Sequence, residues 1–212
     1  MPENVSEERK KLAAYLGAEV FLTKKEQGFK GAIEKANELT KERNGFCFNQ
    51  YNYSANFEAH YKKTGEEIFN QTNGEVDIFI AGVGTGGCLS GVSTYLKEKS
   101  NKGVYTIGIE PIESDILEGG NKYSPHSLQG IGPNFIPKNF HKENIDEVFH
   151  VSREDAYNTT KFLALNAGIC GGISSGATAF CAFEKAKKLA NKTIVFIVAD
   201  FCERYVSSDL FE

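Results

Sequence analysis

No stretch of these 212 residues is long and apolar enough to cross a bilayer, which takes roughly 18–20 residues. The acidic, polar opening Met1-Pro2-Glu3-Asn4-Val5-Ser6-Glu7-Glu8 has none of the apolar stretch of a signal peptide. The five cysteines (Cys47, Cys88, Cys170, Cys181 and Cys202) form no C-x-x-C pair, which excludes the usual zinc and redox spacings. They read as reduced thiols of a cytoplasmic protein rather than as a disulfide frame. The four histidines (His60, His126, His141 and His150) show no H-x-x-x-H spacing, so no metal site is expected. Low-complexity tracts, long linkers and internal repeats are also missing. A net charge of −4 argues against a polyanion-binding surface, and lysines alternate with glutamates as on solvated helix faces. Neither nucleic acid nor membrane is an expected partner.

What is present is an alternation of strand-like and helix-like segments. Helical spacing covers residues 6–16, stopped by Gly17, and residues 28–41, with Phe29, Ile33, Ala36 and Leu39 on one face. Residues 19–22 and 46–49 read as short strands, residues 60–70 as a helix, and Asn73-Gly74 as a turn. An apolar strand over 76–81 leads through a glycine-rich turn into a helix ending near Lys99. Residues 105–110, 146–151 and 194–199 are further strands; 152–167 and the alanine-rich stretch within 171–188 are helices, and 115–136 is irregular. Such alternation predicts an α/β fold: an open, mostly parallel sheet with helices on both faces. Ligands of these sheets bind in loops at the carboxyl ends of the strands.

The strongest such loop is Ala81-Gly82-Val83-Gly84-Thr85-Gly86-Gly87-Cys88, between an apolar strand and a helix. Its glycines allow close backbone approach, and the free N–H groups of the helix start converge on one spot, a geometry that binds phosphate. Gly82-x-Gly84-x-x-Gly87 also satisfies the dinucleotide fingerprint, with Glu110 as the acid ending the next strand. A nicotinamide-nucleotide reading therefore stands as a rival on spacing alone. The triphosphatase loop is excluded because no lysine follows. Gly172-Ile173-Ser174-Ser175-Gly176 opens another helix, where serines serve as caps or as ligands. Ser127-Leu128-Gln129-Gly130-Ile131-Gly132-Pro133 can fold over a ligand, and Asn49-Gln50-Tyr51-Asn52 offers carboxamides suited to a carboxylate or forms a surface turn.

Taken in order along essentially the whole chain, these segments resemble the cysteine synthases, pyridoxal-phosphate enzymes of fold type II. Residues 49–56 correspond to the family's Q-F-x-N-P-A-N-P region, and residues 76–88 are close to V-D-I-F-V-A-G-V-G-T-G-G-T. The matches continue through Gln129-Gly130-Ile131-Gly132, residues 172–176 and Glu203-Arg204-Tyr205. Leu96-Lys97-Glu98-Lys99 and Glu110-Pro111 with Glu113-Ser114 favour cysteine synthase over cystathionine β-synthase. The resemblance implies that Gly84, Thr85, Gly86, Gly87 and Cys88 hold the phosphate of pyridoxal phosphate and that Ser174 bonds the pyridine nitrogen. It implies Gln50 for the substrate carboxylate and Gly130 near the substrate amine. The implied reaction is β-replacement: O-acetylserine and sulfide give L-cysteine.

The sequence departs from the family in several places. Cys88 stands for a threonine, so a hydroxyl contact is lost or replaced by a weaker thiol donor. Tyr51 replaces a phenylalanine, Ala199-Asp200 replaces a Pro-Ser pair beside the cofactor ring, and Cys202 replaces a glycine. The family's cofactor lysine, in an S-x-K-D-R segment, and its T-S-G-N-T-G loop occur nowhere in these residues. That lysine is both the covalent anchor and the proton carrier, so no catalytic residue is assigned. The expectation is a chain lacking the N-terminal third of the family. Residues 1–49 would be a remnant of the smaller domain and 50–212 the larger, cofactor-binding domain. It would be inactive alone and act with a second copy or a complementing chain; the alternative is a non-catalytic binding or regulatory partner that uses the retained phosphate cup.

Overall fold

Four apolar runs supply the sheet. In the computed structural model, which describes all 212 residues, they pair in parallel throughout. The strands are β1 (Ile78–Gly82), β2 (Tyr105–Pro111), β3 (Glu147–Val151) and β4 (Ile194–Phe196), in the order β3-β2-β1-β4. The register sets Ile80 between Ile107 and Phe196. Successive side chains of a strand point to opposite faces, and the core divides accordingly. Ile78, Ile80, Ile107 and Ile109 enter one apolar cluster, while Phe79 and Ala81 enter another on the far side of the sheet.

Parallel neighbours need crossovers, and helices cover both faces as the alternation predicts. Helix α5 (Gly87–Lys99) follows β1 and buries Leu89, Val92 and Leu96 in the cluster of Phe79. Helices α6 (Arg153–Ala167) and α7 (Ile173–Ala186) bring Ala156, Ile173, Ala177 and Cys181 to the opposite cluster. Helix α6 starts where its cap was expected: the Ser152 hydroxyl accepts the Asp155 amide at 3.1 Å. Between β2 and β3 the chain forms only short turns, consistent with its glycine content.

Ahead of the sheet lie α1 (Glu7–Tyr15), ended by Gly17 at φ +86°, and α2 (Gly28–Glu42). Helices α3 (Ser54–Ala59) and α4 (Glu66–Gln71) are joined by a π-helical stretch, His60–Gly65. This run begins earlier than the 60–70 helix read from the sequence. It lies against α5 so closely that a Cβ at Gly91 would strike the Phe57 carbonyl.

Two expected strands are not formed. Residues 19–22 and 46–49 have no ladder partner, and only an isolated Pro2–Thr23 bridge adjoins the first. A strand is a pairing, and propensity does not make one where no neighbouring strand is present. The last strand is also shorter than expected and half-buried, because β4 lies at an edge of the sheet.

Candidate active site

The loop after β1 is built around backbone donors. Gly86, at φ +83°, turns the chain into α5 in a conformation that side chains rarely adopt. The Gly87 amide donates to the Thr85 hydroxyl at 3.3 Å, while the amides of Gly84, Thr85, Gly86, Cys88 and Leu89 have no acceptor within the protein. Five amides at the positive end of a helix dipole suit a doubly charged phosphate. The loop has no room for side chains. A Cβ on Gly84 would overlap the Gly130 carbonyl, one on Gly86 the Phe140 amide, and one on Gly87 the Asn56 carboxamide. Cys88 adds only its amide, because its side chain packs against the apolar cluster under α5, where burial pushes the thiol up to about 11. Of the two outcomes open at this position, the inward-packed thiol agrees with loss of the hydroxyl contact rather than its replacement.

Gln50 and Gly130 meet at a cavity of about 420 Å³, which Arg9, Phe29, Tyr51, Tyr123 and His126 also line. The cavity and the glycine loop adjoin where Gly130 abuts Gly84, and the Gly132 amide ties the two loops by donating to the Val83 carbonyl at 2.9 Å. The Gln50 backbone is clamped from two sides, since its carbonyl accepts Asn56 Nδ2 at 2.9 Å and Asn139 Nδ2 at 3.1 Å. Tyr51 is buried between Phe29 and Phe135, and burial pushes its hydroxyl up to about 12.

Ser174 and Ser175 open α7 and differ in their duties. Ser175 Oγ accepts the Ala199 amide at 3.2 Å and holds the exit from β4. Ser174, only 7% exposed, has a hydroxyl with no protein partner. Such a hydroxyl is left free to bond a ligand heteroatom.

Asp200 lies against Gly172 at the same helix start, and its carboxylate is already engaged. Oδ2 accepts the Tyr205 hydroxyl at 2.7 Å and faces Arg9 Nη2 at 3.4 Å, while Oδ1 is buried without a partner. Burial first, and Asp200 second, push the Tyr205 hydroxyl up to about 12. Arg9 also donates to the Tyr205 hydroxyl at 2.9 Å, to Ser6 Oγ at 3.0 Å and to Gln129 Oε1 at 2.9 Å. It thereby fixes the loop that carries Gly130. Reading the sequence missed this network, and no local signal marks it: Arg9 is more than a hundred residues from Gln129, Asp200 and Tyr205.

Two other sequence readings are settled by placement. Glu110 is fully buried, accepting Ser114 Oγ at 2.5 Å and the Leu117 amide at 3.3 Å. A carboxylate committed to the interior cannot hold a ribose, which removes the nicotinamide-nucleotide reading. Cys202 adopts an ordinary backbone at the start of a short helical turn, so replacing glycine there forces no left-handed residue. No lysine in the chain is buried. The half-buried ones (Lys10, Lys35, Lys97 and Lys185) each pair with a carboxylate.

A family model described as pyridoxal-phosphate dependent enzyme matches residues 1–200. Cysteine synthase B of Campylobacter jejuni is 49% identical over 212 residues, covering all of this chain and 70% of that protein. Among solved structures, O-ureido-L-serine synthase with O-ureido-L-serine bound superposes with a TM-score of 0.95 at 33% identity, over 100% of this chain and 66% of that one. Cysteine synthase of Entamoeba histolytica gives a TM-score of 0.90 at 42% identity, over 100% of this chain and 63% of that one. The chain thus spans roughly two thirds of the length of the proteins it matches, and pyridoxal phosphate is the cofactor their family implies. The glycine cradle and the free Ser174 hydroxyl fit the phosphate and ring ends of that cofactor, and the chain belongs to the pyridoxal-phosphate-dependent enzymes, among the cysteine synthases.

Proposed function

We propose that these residues form the phosphate- and ring-binding part of a cysteine synthase making L-cysteine from O-acetylserine and sulfide. The observation that carries the reading is the set of unpaired amides of Gly84, Thr85, Gly86, Cys88 and Leu89 at the start of α5, in a loop packed too closely for side chains at Gly84, Gly86 and Gly87. When bound, pyridoxal phosphate supplies the electron sink for β-replacement. The chain's own residues bind and orient. Backbone amides of Gly84, Thr85, Gly86, Cys88 and Leu89 would hold the phosphate, and the Ser174 hydroxyl would bond the pyridine nitrogen. The Gln50 carboxamide takes the substrate carboxylate, and the Gly130 carbonyl lies beside the substrate amine.

The same reading assigns no proton-moving lysine to the chain, since every half-buried lysine is paired and the rest are exposed. These residues alone bind the cofactor reversibly and do not turn over substrate. Residues outside these 212 supply the lysine, in the same polypeptide or in a complementing one. Phe46, Phe48 and Tyr53 support the idea: they are exposed, cluster in edge-on and tilted contacts with ring centroids 5.9–6.1 Å apart, and flank Gln50 in sequence. Such an apolar lip is suited to being covered. Residues 1–49 are then the remnant of the smaller domain and 50–212 the cofactor-binding domain.

Thermal unfolding in the presence of inorganic phosphate tests the cradle. A ligand that binds only the folded state raises stability by RT ln(1 + [L]/Kd), so millimolar phosphate raises the melting temperature. No shift at any phosphate concentration would sink the assignment.

A further inference from the structure

Cys170 and Cys202 face each other where the chain entering α7 meets the chain leaving β4. Gly171 and Phe201 form an antiparallel bridge there. On either side of it the Cys202 amide donates to the Cys170 carbonyl at 3.0 Å and the Gly172 amide to the Asp200 carbonyl at 2.9 Å. Cys170 and Cys202 are therefore directly opposite each other across the antiparallel pairing, joined by one of the two backbone hydrogen bonds open to such a pair. In such pairs the Cα atoms lie about 5.5 Å apart, with both side chains on one face. A disulfide requires a Cα separation of about 4.4–6.8 Å, so the backbone already meets that condition.

Exposure and chemistry single out the same pair. All five cysteines are reduced; Cys170 is exposed and Cys202 half-buried. Burial first, and the adjacent Cys170 thiol next, hold the Cys202 thiol above its ordinary value, so the exposed Cys170 is the thiol that attacks first and Cys202 reacts only with the sulfur already beside it. Cys181 and Cys88 sit in or against the apolar clusters, where burial pushes their thiols up to about 12 and about 11. Buried thiols of that kind are poor nucleophiles. Cys47 lines the cavity at the opposite end of the sequence.

We infer that Cys170 and Cys202 form a thiol–disulfide exchange site that takes a small-molecule disulfide, such as oxidised glutathione, and closes to an intramolecular disulfide. The exposed Cys170 thiolate attacks one sulfur of oxidised glutathione, a protein–glutathione S–S bond forms, and the first glutathione thiolate leaves and takes up a proton. The Cys202 thiolate then attacks the Cys170 sulfur, the mixed disulfide breaks, and the second glutathione leaves in the same way. The two protein thiols are oxidised and one glutathione disulfide is reduced, so no further oxidant is needed. The resulting link joins the segment leading to Gly172 and Ser174 to the segment carrying Asp200, and so locks the start of α7. The inference stands on backbone pairing and does not depend on cofactor binding.

The test is mass spectrometry of the native full chain incubated with oxidised glutathione. The expected result is an intact mass lower by two hydrogens, a peptide joining Cys170 to Cys202, and full reversal by dithiothreitol. Cys202→Ser should instead retain one glutathione on Cys170, and Cys170→Ser should give no internal cross-link. Glutathione stably retained on Cys170 of the unsubstituted chain, an unmodified Cys170, or a cross-link joining other cysteines would overturn the inference. The main readout uses the unsubstituted chain, so it does not depend on either variant folding.

Discussion

The Gly130 carbonyl occupies the space that a side chain at Gly84 would need, and Gly130 itself has φ +95°, so the phosphate loop and the substrate loop touch at two positions that favour glycine for different reasons. Gly84→Ala should therefore push the two loops apart. Overpacking of this kind costs about 1–3 kcal/mol. Thermal melts should show the loss, together with a weakened response to phosphate. Gly45→Ala is the control: its Cβ would meet nothing, and surface changes of that kind stay within about 0.5 kcal/mol.

The two serines of α7 should separate stability from ligand binding. Ser175→Ala removes the acceptor for the Ala199 amide and should cost about 0.5–1.5 kcal/mol of stability. Ser174→Ala removes a hydroxyl without a protein partner, so stability should hardly change. The absorption spectrum of bound pyridoxal phosphate should shift instead. Equal destabilisation by both substitutions would contradict the division of labour.

The Arg9 network predicts coupling across the chain. Arg9→Met and Gln129→Leu each break the 2.9 Å bond between them, and a double-mutant cycle should show about 0.5–3 kcal/mol of interaction. Strict additivity in urea melts would mean that Arg9 does not hold the Gly130 loop.

Asp146 predicts an acid-limb effect. Burial works to raise its carboxyl, yet Lys97 and Thr106 outweigh that and hold it below the ordinary value; its Oδ2 accepts Lys97 Nζ and the Thr106 amide, both at 2.7 Å. A depressed folded-state value contributes stability that is fully present above the unfolded value, about 3.9. That contribution is lost as pH falls through the folded value. Asp146→Asn should flatten this part of the stability profile, as measured by urea midpoints at successive pH values. An unchanged acid limb would contradict the prediction.

Much of the sheet was legible because buried parallel strands read as short apolar runs, as residues 78–82 and 105–111 do. The helices were legible from caps such as Ser152 and from the glycine loops that start them. Residues 19–22 and 46–49 misled, because strand-like composition says nothing of whether a partner strand is at hand. The cradle's position after β1 could be read from its glycines alone. The Arg9–Gln129–Asp200–Tyr205 cluster could not, since it assembles only when the two ends of the chain meet. The inward turn of Cys88 is of the same kind: the residue was seen, but its direction is set by the packing under α5.

Equilibrium dialysis of the chain with pyridoxal phosphate, followed by absorbance after exhaustive dialysis, tests the central claim most directly. The account predicts saturable binding that inorganic phosphate displaces and that dialysis removes completely. A visible cofactor band that survives dialysis would show a lysine bonded within these 212 residues, and a chain that takes up no pyridoxal phosphate at all would show that the glycine cradle is not its phosphate site.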